Sequence, residues 1–233
     1  MNEKLLNFYK STNEKYPLIG YILRRIYYKK LFNTVKKKIR GKGNSVHYQK
    51  SILSSVIFDI RGNNNKIDIG ELCYLNNVHF FLRGDNHLIR IGAGVRFNNG
   101  GSLWIEDTNG LIQIGENSTF EDVHLAVTES ESQLRIGNDC MFSYDIDVRT
   151  GDSHSIIDQN THTRLNYAKN IFIGDHVWIG AHCSILKGVT IPNNCIVATR
   201  SVVTKKFNES NTIIAGIPGK VIKREIDWSR ERI

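Results

Sequence analysis

Residues 170–205 read NIFIGDHVWIGAHCSILKGVTIPNNCIVATRSVVTK and place an apolar residue at nearly every sixth position. Ile173, Ile179, Ile185 and Ile191 are each six residues apart. An isolated helix repeats at 3.6 residues and an isolated strand at two, so neither explains this spacing. Three short strands per coil of a parallel solenoid do explain it, because each apolar residue then stacks on the one eighteen positions later. The sequence therefore predicts a β-solenoid whose coils bury their apolar sides by stacking.

The same rhythm continues upstream in a looser form. An apolar-x-Ile-Gly phrase recurs as KIDIG, LIRIG, LIQIG and LRIG, and its glycines are spaced by 22, 23 and 22 residues. Each of these coils therefore carries four or five residues beyond eighteen. The extra residues are assigned to corners, because a cluster rich in residues that tolerate left-handed backbone precedes each phrase. These clusters are GNNN at 62–65, GDNH at 84–87, DTNG at 107–110 and ESES at 129–132.

One long insertion interrupts the solenoid. From Gly137 to Gly174 the step is 37 residues, which is one coil of 22 residues plus about fifteen more. The surplus is assigned to residues 151–169, GDSHSIIDQNTHTRLNYAK. Inserted loops on a rigid scaffold are common places for binding and catalytic residues, so this loop is the first candidate for function.

The cysteines indicate packing rather than metal binding or disulfide formation. Four cysteines occur in 233 residues and none forms a CxxC pair, which disfavours a zinc site. We expect all four to be reduced, as in a cytoplasmic protein. They are Cys73, Cys140, Cys183 and Cys195.

The positive charge is concentrated at the N-terminus. Residues 1–45 hold 12 Lys and Arg against 2 Asp and Glu, whereas the other 188 residues hold 19 against 21. Apolar residues at helical spacing, including Val35 and Ile39, predict a basic amphipathic helical arm over residues 1–45. Two interpretations stay open: a cap over the first coil, or docking on anionic lipid or an acidic glycan.

The sequence disfavours nucleic acid as a partner, a membrane-spanning segment and secretion. The near-neutral solenoid offers no basic groove, so nucleic acid is not expected as a partner. The apolar run LIGYIL is too short to cross a membrane, and charges interrupt every apolar stretch near Met1, so no signal peptide is expected. We expect a cytoplasmic protein, with possible peripheral contact at the inner face of the membrane through the arm.

Residues 170–224 resemble the C-terminal coils of the hexapeptide-repeat acyltransferases. The resemblance rests on NIFIGDHVWIG, KGVTIPNN, SVVTK and AGIPGKVIKR. Within the family, these segments are most similar to the maltose and galactoside O-acetyltransferase type. DSHSI and RLNYAKNI in the insertion resemble the bacterial capsule and O-antigen acetyltransferases. The resemblance implies an all-β fold, a left-handed parallel β-helix. That domain would cover residues 46–224, followed by a tail at 225–233.

The resemblance also implies a catalytic base. In the family, a histidine at the head of the inserted loop deprotonates the acceptor hydroxyl, and His154 occupies that place. A neutral imidazole near pH 7 is suited to this role. A base is usually oriented by a partner on its other nitrogen. Asp152 is the first candidate for that partner, ahead of Asp145 and Asp147.

The remaining site residues are likewise implied by the resemblance. Trp178 matches a family tryptophan that lies against the acceptor and the pantetheine arm of acetyl-CoA. The Ala181 N–H matches the family's oxyanion donor. Arg200 replaces a usual glycine, which puts the local coenzyme geometry in question. The other expected coenzyme contacts are Thr199, Thr204, Lys205, Lys220 and Lys223. The loop candidates for binding the acceptor are Arg164, Asn166 and Lys169.

The resulting hypothesis is an acetyl-CoA-dependent O-acetyltransferase acting on a sugar hydroxyl of a bacterial surface polysaccharide or its precursor. Direct attack without a covalent intermediate, no metal, and a homotrimer with sites between subunits are expected from the family. N-acetylation of an amino sugar is an alternative. Two further classes are a non-catalytic solenoid scaffold and a γ-carbonic-anhydrase-like enzyme, whose zinc would need histidines such as His154, His176 and His182.

Overall fold

The six-residue apolar rhythm becomes the buried side of four consecutive short strands. In the computed structural model, which describes residues 34–232, the side chains of Ile173, Ile179, Ile185 and Ile191 are at most 3% exposed. Ile173 pairs with Ile191 in register, eighteen residues on. The predicted stacking of coils is therefore confirmed.

Twenty-two strands make up the described part of the chain. In chain order they are β1 Val35–Arg40, β2 Ser45–Tyr48, β3 Ile52–Ser54, β4 Val56–Arg61, β5 Lys66–Ile69, β6 Tyr74–Asn76, β7 Val78–Asp85, β8 Leu88–Ile91, β9 Arg96–Thr108, β10 Leu111–Ile114, β11 Thr119–Val127, β12 Gln133–Ile136, β13 Met141–Phe142, β14 Ile146–Arg149, β15 Ile171–Ile173, β16 Trp178–Ile179, β17 Ser184–Ile185, β18 Thr190–Ile191, β19 Ile196–Val197, β20 Val202–Val203, β21 Ile213–Gly216 and β22 Gly219–Lys223.

The strands form a prism with three faces. The first face contains β13, β16 and β19, the second contains β14, β17 and β20, and the third contains β12, β15 and β18. The third face is a separate sheet of 7 strands, whereas the long strands β9 and β11 run across the first two faces and join them into one sheet of 15. The first corner leads from the third face to the first, the second corner from the first to the second, and the third corner from the second to the third.

The longer upstream coils follow the spacing of the glycine phrases. Leu111 pairs with Leu88 and Gln133, which lie 23 and 22 residues away. The extra residues form corners, as expected. Each turn-rich cluster contains two residues with positive φ, and the second of the two has φ between 56° and 65°: Asn64, Asn86, Asn109 and Glu131.

The interior of the solenoid is apolar and includes stacked rings. Phe97, Phe120 and Phe142 lie one above another with ring centroids 4.5 and 4.8 Å apart. The four cysteines are free and buried, as predicted. Burial raises the pKa of the Cys140 thiol to about 12, so this side chain packs as a neutral group.

The N-terminal prediction needs one correction. Val35–Arg40 form a strand paired along its whole length with Val56–Arg61, so the helical arm predicted through residue 45 is wrong for this segment. Val35 and Ile39 are four residues apart, and four is an even number, so a strand also places them on one side. The solenoid therefore includes residues from Val35 onward. The remainder of the predicted arm, residues 1–33, lies outside the described residues.

The C-terminus returns along the solenoid. β21 and β22 form an antiparallel hairpin at its end, and the tail then runs back up the first corner. The Ile226 N–H donates to Asn211 O at 3.1 Å, and Arg230 reaches the Thr119 hydroxyl at 2.8 Å. We call residues 226–230 the C-terminal strap. Among residues 34–232, no helix has the length and apolar character needed to cross a membrane.

Candidate active site

The inserted loop projects from the third corner, between the end of β14 at Arg149 and the start of β15 at Ile171. It folds back on itself, with an antiparallel bridge between Ile157 and Arg164. The tip is a tight turn in which Asp158 Oδ1 accepts hydrogen bonds from the backbone N–H groups of Asn160 and Thr161. These bonds lower the pKa of Asp158. The loop is therefore an ordered hairpin.

Asn166 organises the base of this loop. Its side chain is buried, at 7% exposure. Its Oδ1 accepts from Ile156 N–H at 2.7 Å, and its Nδ2 donates to Asp152 Oδ2 at 2.7 Å and to His154 O at 2.8 Å. The amide is thus occupied within the loop. Asn166 therefore shapes the loop, and its contact with the acceptor stays a prediction.

Asp152 makes contacts other than those predicted. Besides Asn166, its Oδ2 accepts a hydrogen bond of 2.5 Å from Lys187 Nζ. The bond from Lys187, and then the bond from Asn166, lower the pKa of Asp152, which is therefore ionised at neutral pH. The pairing expected with the His154 ring is replaced by a link between the loop and the third corner of the next coil, where Lys187 lies.

The His154 side chain is exposed at the head of the loop. Its backbone carbonyl is fixed by Asn166, and its ring makes no hydrogen bond within residues 34–232. An imidazole held through its backbone and free at both ring nitrogens can accept a proton from a bound hydroxyl. The loop thus leaves the His154 ring open to a molecule approaching from outside.

The two cationic loop candidates, Arg164 and Lys169, differ in whether the side chain already has a partner. Arg164 forms an ion pair with Glu129 of the preceding coil and lies over the Tyr167 ring at 5.0 Å. Its guanidinium is half-buried and anchors the loop. The Lys169 side chain is exposed. Of the two residues, Lys169 is therefore the one whose side chain an acceptor could reach without displacing a partner.

His176 and His182 lie at corners of the solenoid, where each is hydrogen-bonded to a carboxylate. They occupy left-handed corner positions at φ 52° and 57°. Each Nδ1–H donates at 2.6 Å to a carboxylate of the preceding coil, that of Asp139 for His176 and that of Asp145 for His182. Within one chain, His176, His182 and the loop of His154 lie at three different corners. Residues 34–232 contain no group of three or more His, Cys, Asp and Glu side chains that could hold a metal ion.

Trp178 points outward from the first face and is 37% exposed. Part of its surroundings comes from the C-terminal strap, since the Trp228 ring lies 6.2 Å from the Trp178 ring. Trp228 itself stacks on His176 at 4.1 Å, and its Nε1–H donates to His176 O at 2.9 Å. The strap was not predicted from the sequence. A lone aromatic residue in a charged tail, IDWSRER, is the signal that could have indicated it.

The second corner below Trp178 offers free backbone donors. At the first corner, the Asp175 N–H is capped by Asn193 Oδ1 at 2.9 Å. At the second corner, the Ala181 N–H donates to no acceptor within residues 34–232, and Thr199 stacks beneath it in the next coil. Arg200 adopts φ 61° there, so it takes the left-handed conformation that a glycine would supply. An N–H without a partner is suited to an oxyanion or an amide carbonyl.

The expected phosphate contacts lie at the C-terminal end of the solenoid. Lys205, Lys220 and Lys223 are exposed on and beside β21 and β22, as is Thr204. Lys205 lies over the Phe207 ring at 5.5 Å, and the three ammonium groups have no carboxylate partner among residues 34–232. Exposed lysines on a terminal hairpin can meet a phosphate as point charges.

His154 and Trp178 are on opposite sides of the chain. The loop leaves the third corner, and in a triangular coil this corner is opposite the first face, which carries Trp178. A hydrophobic core of stacked strands separates them. One chain therefore does not bring the two residues to one point, whereas two neighbouring chains can.

Comparisons with known proteins agree with this architecture. The family model described as "Bacterial transferase hexapeptide (six repeats)" matches residues 170–205. A polysialic acid O-acetyltransferase of Neisseria meningitidis is 33% identical over 193 residues, covering 82% of this chain and 88% of that protein. A polysialic acid O-acetyltransferase of Escherichia coli O1:K1 / APEC is 37% identical over 117 residues, covering 50% of this chain but 38% of that protein.

A solved structure extends the likeness to the upstream coils. The polysialic acid O-acetyltransferase OatWY superimposes with a TM-score of 0.79 at 30% identity, over 86% of this chain and 93% of that one. The match therefore includes coils that precede residues 170–205, where the six-residue rhythm is least regular.

Proposed function

The chain belongs to the hexapeptide-repeat O-acetyltransferases, and from that premise we propose that it transfers an acetyl group from acetyl-CoA to a sugar hydroxyl of a bacterial surface polysaccharide or its precursor. The observation that carries the proposal is the loop network of Asn166, which fixes the backbone of His154 and leaves its ring free. The named relatives support a glycan acceptor, since they are O-acetyltransferases of a polysaccharide.

In the proposed reaction, His154 accepts the proton of the acceptor hydroxyl as the oxygen attacks the thioester carbonyl carbon. A C–O bond forms, and the carbonyl oxygen becomes an oxyanion. We propose that the Ala181 N–H of a neighbouring subunit donates a hydrogen bond to this oxygen, on which negative charge develops in the transition state. When the C–S bond breaks, the proton held by His154 passes to the leaving sulfur, and the imidazole returns to its neutral form.

The loop network supports this role for His154 without a carboxylate on its ring. Asp152 is committed to Lys187 and Asn166, so it orients His154 indirectly, through the backbone. Asp152 is therefore proposed as a positioning residue.

We propose a homotrimer as the active form. Each site would combine the loop of one subunit with the first face of its neighbour, because the third corner and the first face are opposite within one chain. Trp178 would then contact the acceptor and the pantetheine arm, and Thr199, Thr204 and the three lysines of the terminal hairpin would contact the rest of the coenzyme. The apolar loop residues Ile156 and Leu165, both 59% exposed, support burial against a neighbour.

The test is mass spectrometry of candidate glycans after incubation with acetyl-CoA and full-length protein. We expect an acetyl group on the sugar that is lost in mild alkali, as esters are. An alkali-stable acetyl group would indicate N-acetylation of an amino sugar instead. Absence of acetyl transfer to any glycan by an intact trimer would contradict the proposal and favour a scaffold.

A further inference from the structure

A groove on the second face has no assigned role. The outward side chains of β7, β9, β11 and β14 border an open groove of about 670 Å³, which continues into a smaller cavity of about 200 Å³. The two share His124 and Arg149. Coils are spaced by about 4.8 Å, so a groove across four of them is about 14 Å long, more than one sugar ring occupies.

An aromatic stack forms one wall. The rings of Phe81 and Trp104 lie 3.5 Å apart, and the guanidinium of Arg83 covers Phe81 at 3.6 Å. Because Phe81 stacks on the indole from the preceding coil, the opposite side of Trp104 borders the cavity. Outward aromatic rings on a hydrophilic face are costly unless something covers them, and sugar rings are amphipathic partners of this kind.

A small residue creates the cavity beside this wall. In the outward column of the second face, Trp104 is followed by Ala126 and then Arg149. The methyl group of Ala126 leaves a notch between the two large side chains. Gly151 and Ser153 close its far side, and Ser153 directly precedes His154. The groove therefore ends at the loop that carries the proposed base.

The charges of the lining favour one class of ligand. Asp122, Asp145, Asp147 and Glu106 border the groove and the notch, against one guanidinium, Arg149. Arg149 is already bound to Asp147 at 2.6 and 2.8 Å. The lining is therefore net acidic, which repels a carboxylate-bearing chain.

The two histidines in the groove do not offset these acids. Burial lowers the pKa of both His79 and His124, although Asp59 and Asp147 act in the opposite direction. Both rings are neutral at pH 7, and His124 Nδ1 is hydrogen-bonded to Ser102 Oγ. Hydroxyl and imidazole groups of this kind match the hydroxyl and amide groups of sugars. The cores of subunit interfaces, in contrast, are depleted in charged residues.

We propose that this groove binds an extended, uncharged glycan chain, whose terminal unit reaches His154 of the same subunit. The inference rests on the proposed function and adds to it a chain-length preference and a charge preference. The sugar next to the acetylated unit lies in the notch over Ala126, against Trp104. Further units continue along β11, β9 and β7.

Two substitutions test the groove, and both change the surface that would contact the glycan. Trp104→Ala removes the stacking surface, and Ala126→Leu fills the notch without removing any contact. Tyr74→Ala is the matched control, because Tyr74 is a half-buried outward ring on the first face, also covered by an arginine, Arg96, at 5.8 Å. Circular dichroism and gel filtration establish that each variant folds and assembles like the parent.

The acceptors are monomers and hexamers of glucose, galactose and N-acetylglucosamine, with hexamers of α2,8-linked sialic acid. For at least one neutral sugar, we expect kcat/KM for the hexamer to exceed that for the monomer about tenfold. Trp104→Ala and Ala126→Leu should abolish this gain and leave the monomer rate unchanged, and Tyr74→Ala should change neither. The sialic acid hexamer should be the poorer acceptor.

Equal kcat/KM for the monomer and the hexamer of every neutral sugar that is acetylated would contradict glycan binding in the groove. A gain for the hexamer that survives both substitutions would contradict it as well. A preference for the sialic acid hexamer would overturn its charge assignment. Binding of the same hexamers to the His154→Asn protein, by saturation-transfer NMR without acetyl-CoA, separates the two proposals. Binding that depends on Trp104 without acetyl transfer by the parent would overturn the proposed function and leave the groove standing, whereas absence of binding by every neutral hexamer would overturn the groove.

Discussion

A single buried amide, that of Asn166, holds the reacting loop in shape. It bonds the Asp152 carboxylate, the His154 carbonyl and the Ile156 N–H, and its Oδ1 also accepts from Arg164 Nε at 3.3 Å. A buried polar group with its bonds satisfied is stabilising, and its loss leaves several partners unpaired. The backbone of His154 is therefore held by the Asn166 side chain.

Substitution of the proposed base gives the most direct test at this scale. His154→Asn should lower kcat by roughly 10²–10⁴-fold, the usual effect of removing a positioned general base. His162→Asn is the control, because His162 is also exposed in the loop, and asparagine tolerates its φ of 53°. Steady-state acetyl transfer is the measurement, and equal rates for the two variants would contradict the assignment.

The position of His154 could be predicted from sequence, but its surroundings could not. The 37-residue step between glycines locates the loop, and the resemblance of DSHSI to a family motif marks its head. The partner of Asp152 is Lys187, 35 residues away on the next coil, and no local pattern connects them. Nearness along the chain favours His154 as the partner of Asp152, whereas the fold brings a cation closer.

Among the structural elements, the coils were predictable and the strap was not. Coils repeat, so the eighteen-residue spacing of Ile173 and Ile191 is enough to predict their register. The strap occurs once, and its anchor Trp228 packs on His176, 52 residues earlier. The helix predicted over Val35–Arg40 is wrong because a four-residue spacing is compatible with both helix and strand.

The strap should detach as the pH rises. Burial lowers the pKa of His176. The hydrogen bond to Asp139, the bond to Trp228 O and the charge of Asp227 together raise this pKa by more than burial lowers it, so the net shift is upward. Only the protonated ring donates at both Nδ1 and Nε2, to Asp139 and to Trp228 O. A raised pKa gives stabilisation that is complete below the ordinary value of about 6.5 and lost as the pH rises through the folded value.

Hydrogen exchange of the Ile226 and Trp228 amides, corrected for intrinsic rates, measures this effect. Protection should be highest near pH 6 and fall at higher pH, in a range set by the upward shift. Arg230, which also binds Asp139, stays charged throughout and should not contribute to the change. His176→Asn should give weaker, pH-independent protection, and a parent protein without pH dependence would refute the switch.

At the scale of the assembly, a mixed trimer tests where the site lies. His154→Asn and Trp178→Ala subunits, each with low activity alone, should regain activity when unfolded and refolded together. Restoration is expected because some interfaces then combine an intact loop with an intact first face. The control mixes each variant with itself. Failure of hybrid trimers to recover activity would contradict a site shared between neighbouring subunits.

The basic N-terminal segment is tested by a cut that spares β1. Deletion of residues 1–33 should leave acetyl transfer to a small soluble acceptor unchanged, because every residue proposed to contact acetyl-CoA or the acetylated sugar unit lies beyond 150. We propose that it weakens binding to vesicles containing anionic lipid, and that binding by the full chain falls with added salt. Co-sedimentation at low and high salt measures this. Full-length protein that ignores such vesicles at low salt would contradict docking, and an aggregated truncation would favour a cap.

The strap also affects the order in which the molecule can be completed during translation. Stacked coils can form one after another as they leave the ribosome, but Arg230 closes contacts with Thr119 and Cys140, which were made 111 and 90 residues earlier. The first corner beside Trp178 thus stays open until the strap emerges. A premature stop codon before Trp228 would yield a folded solenoid with that corner bare, and an affinity tag is better placed at the N-terminus than directly after the strap.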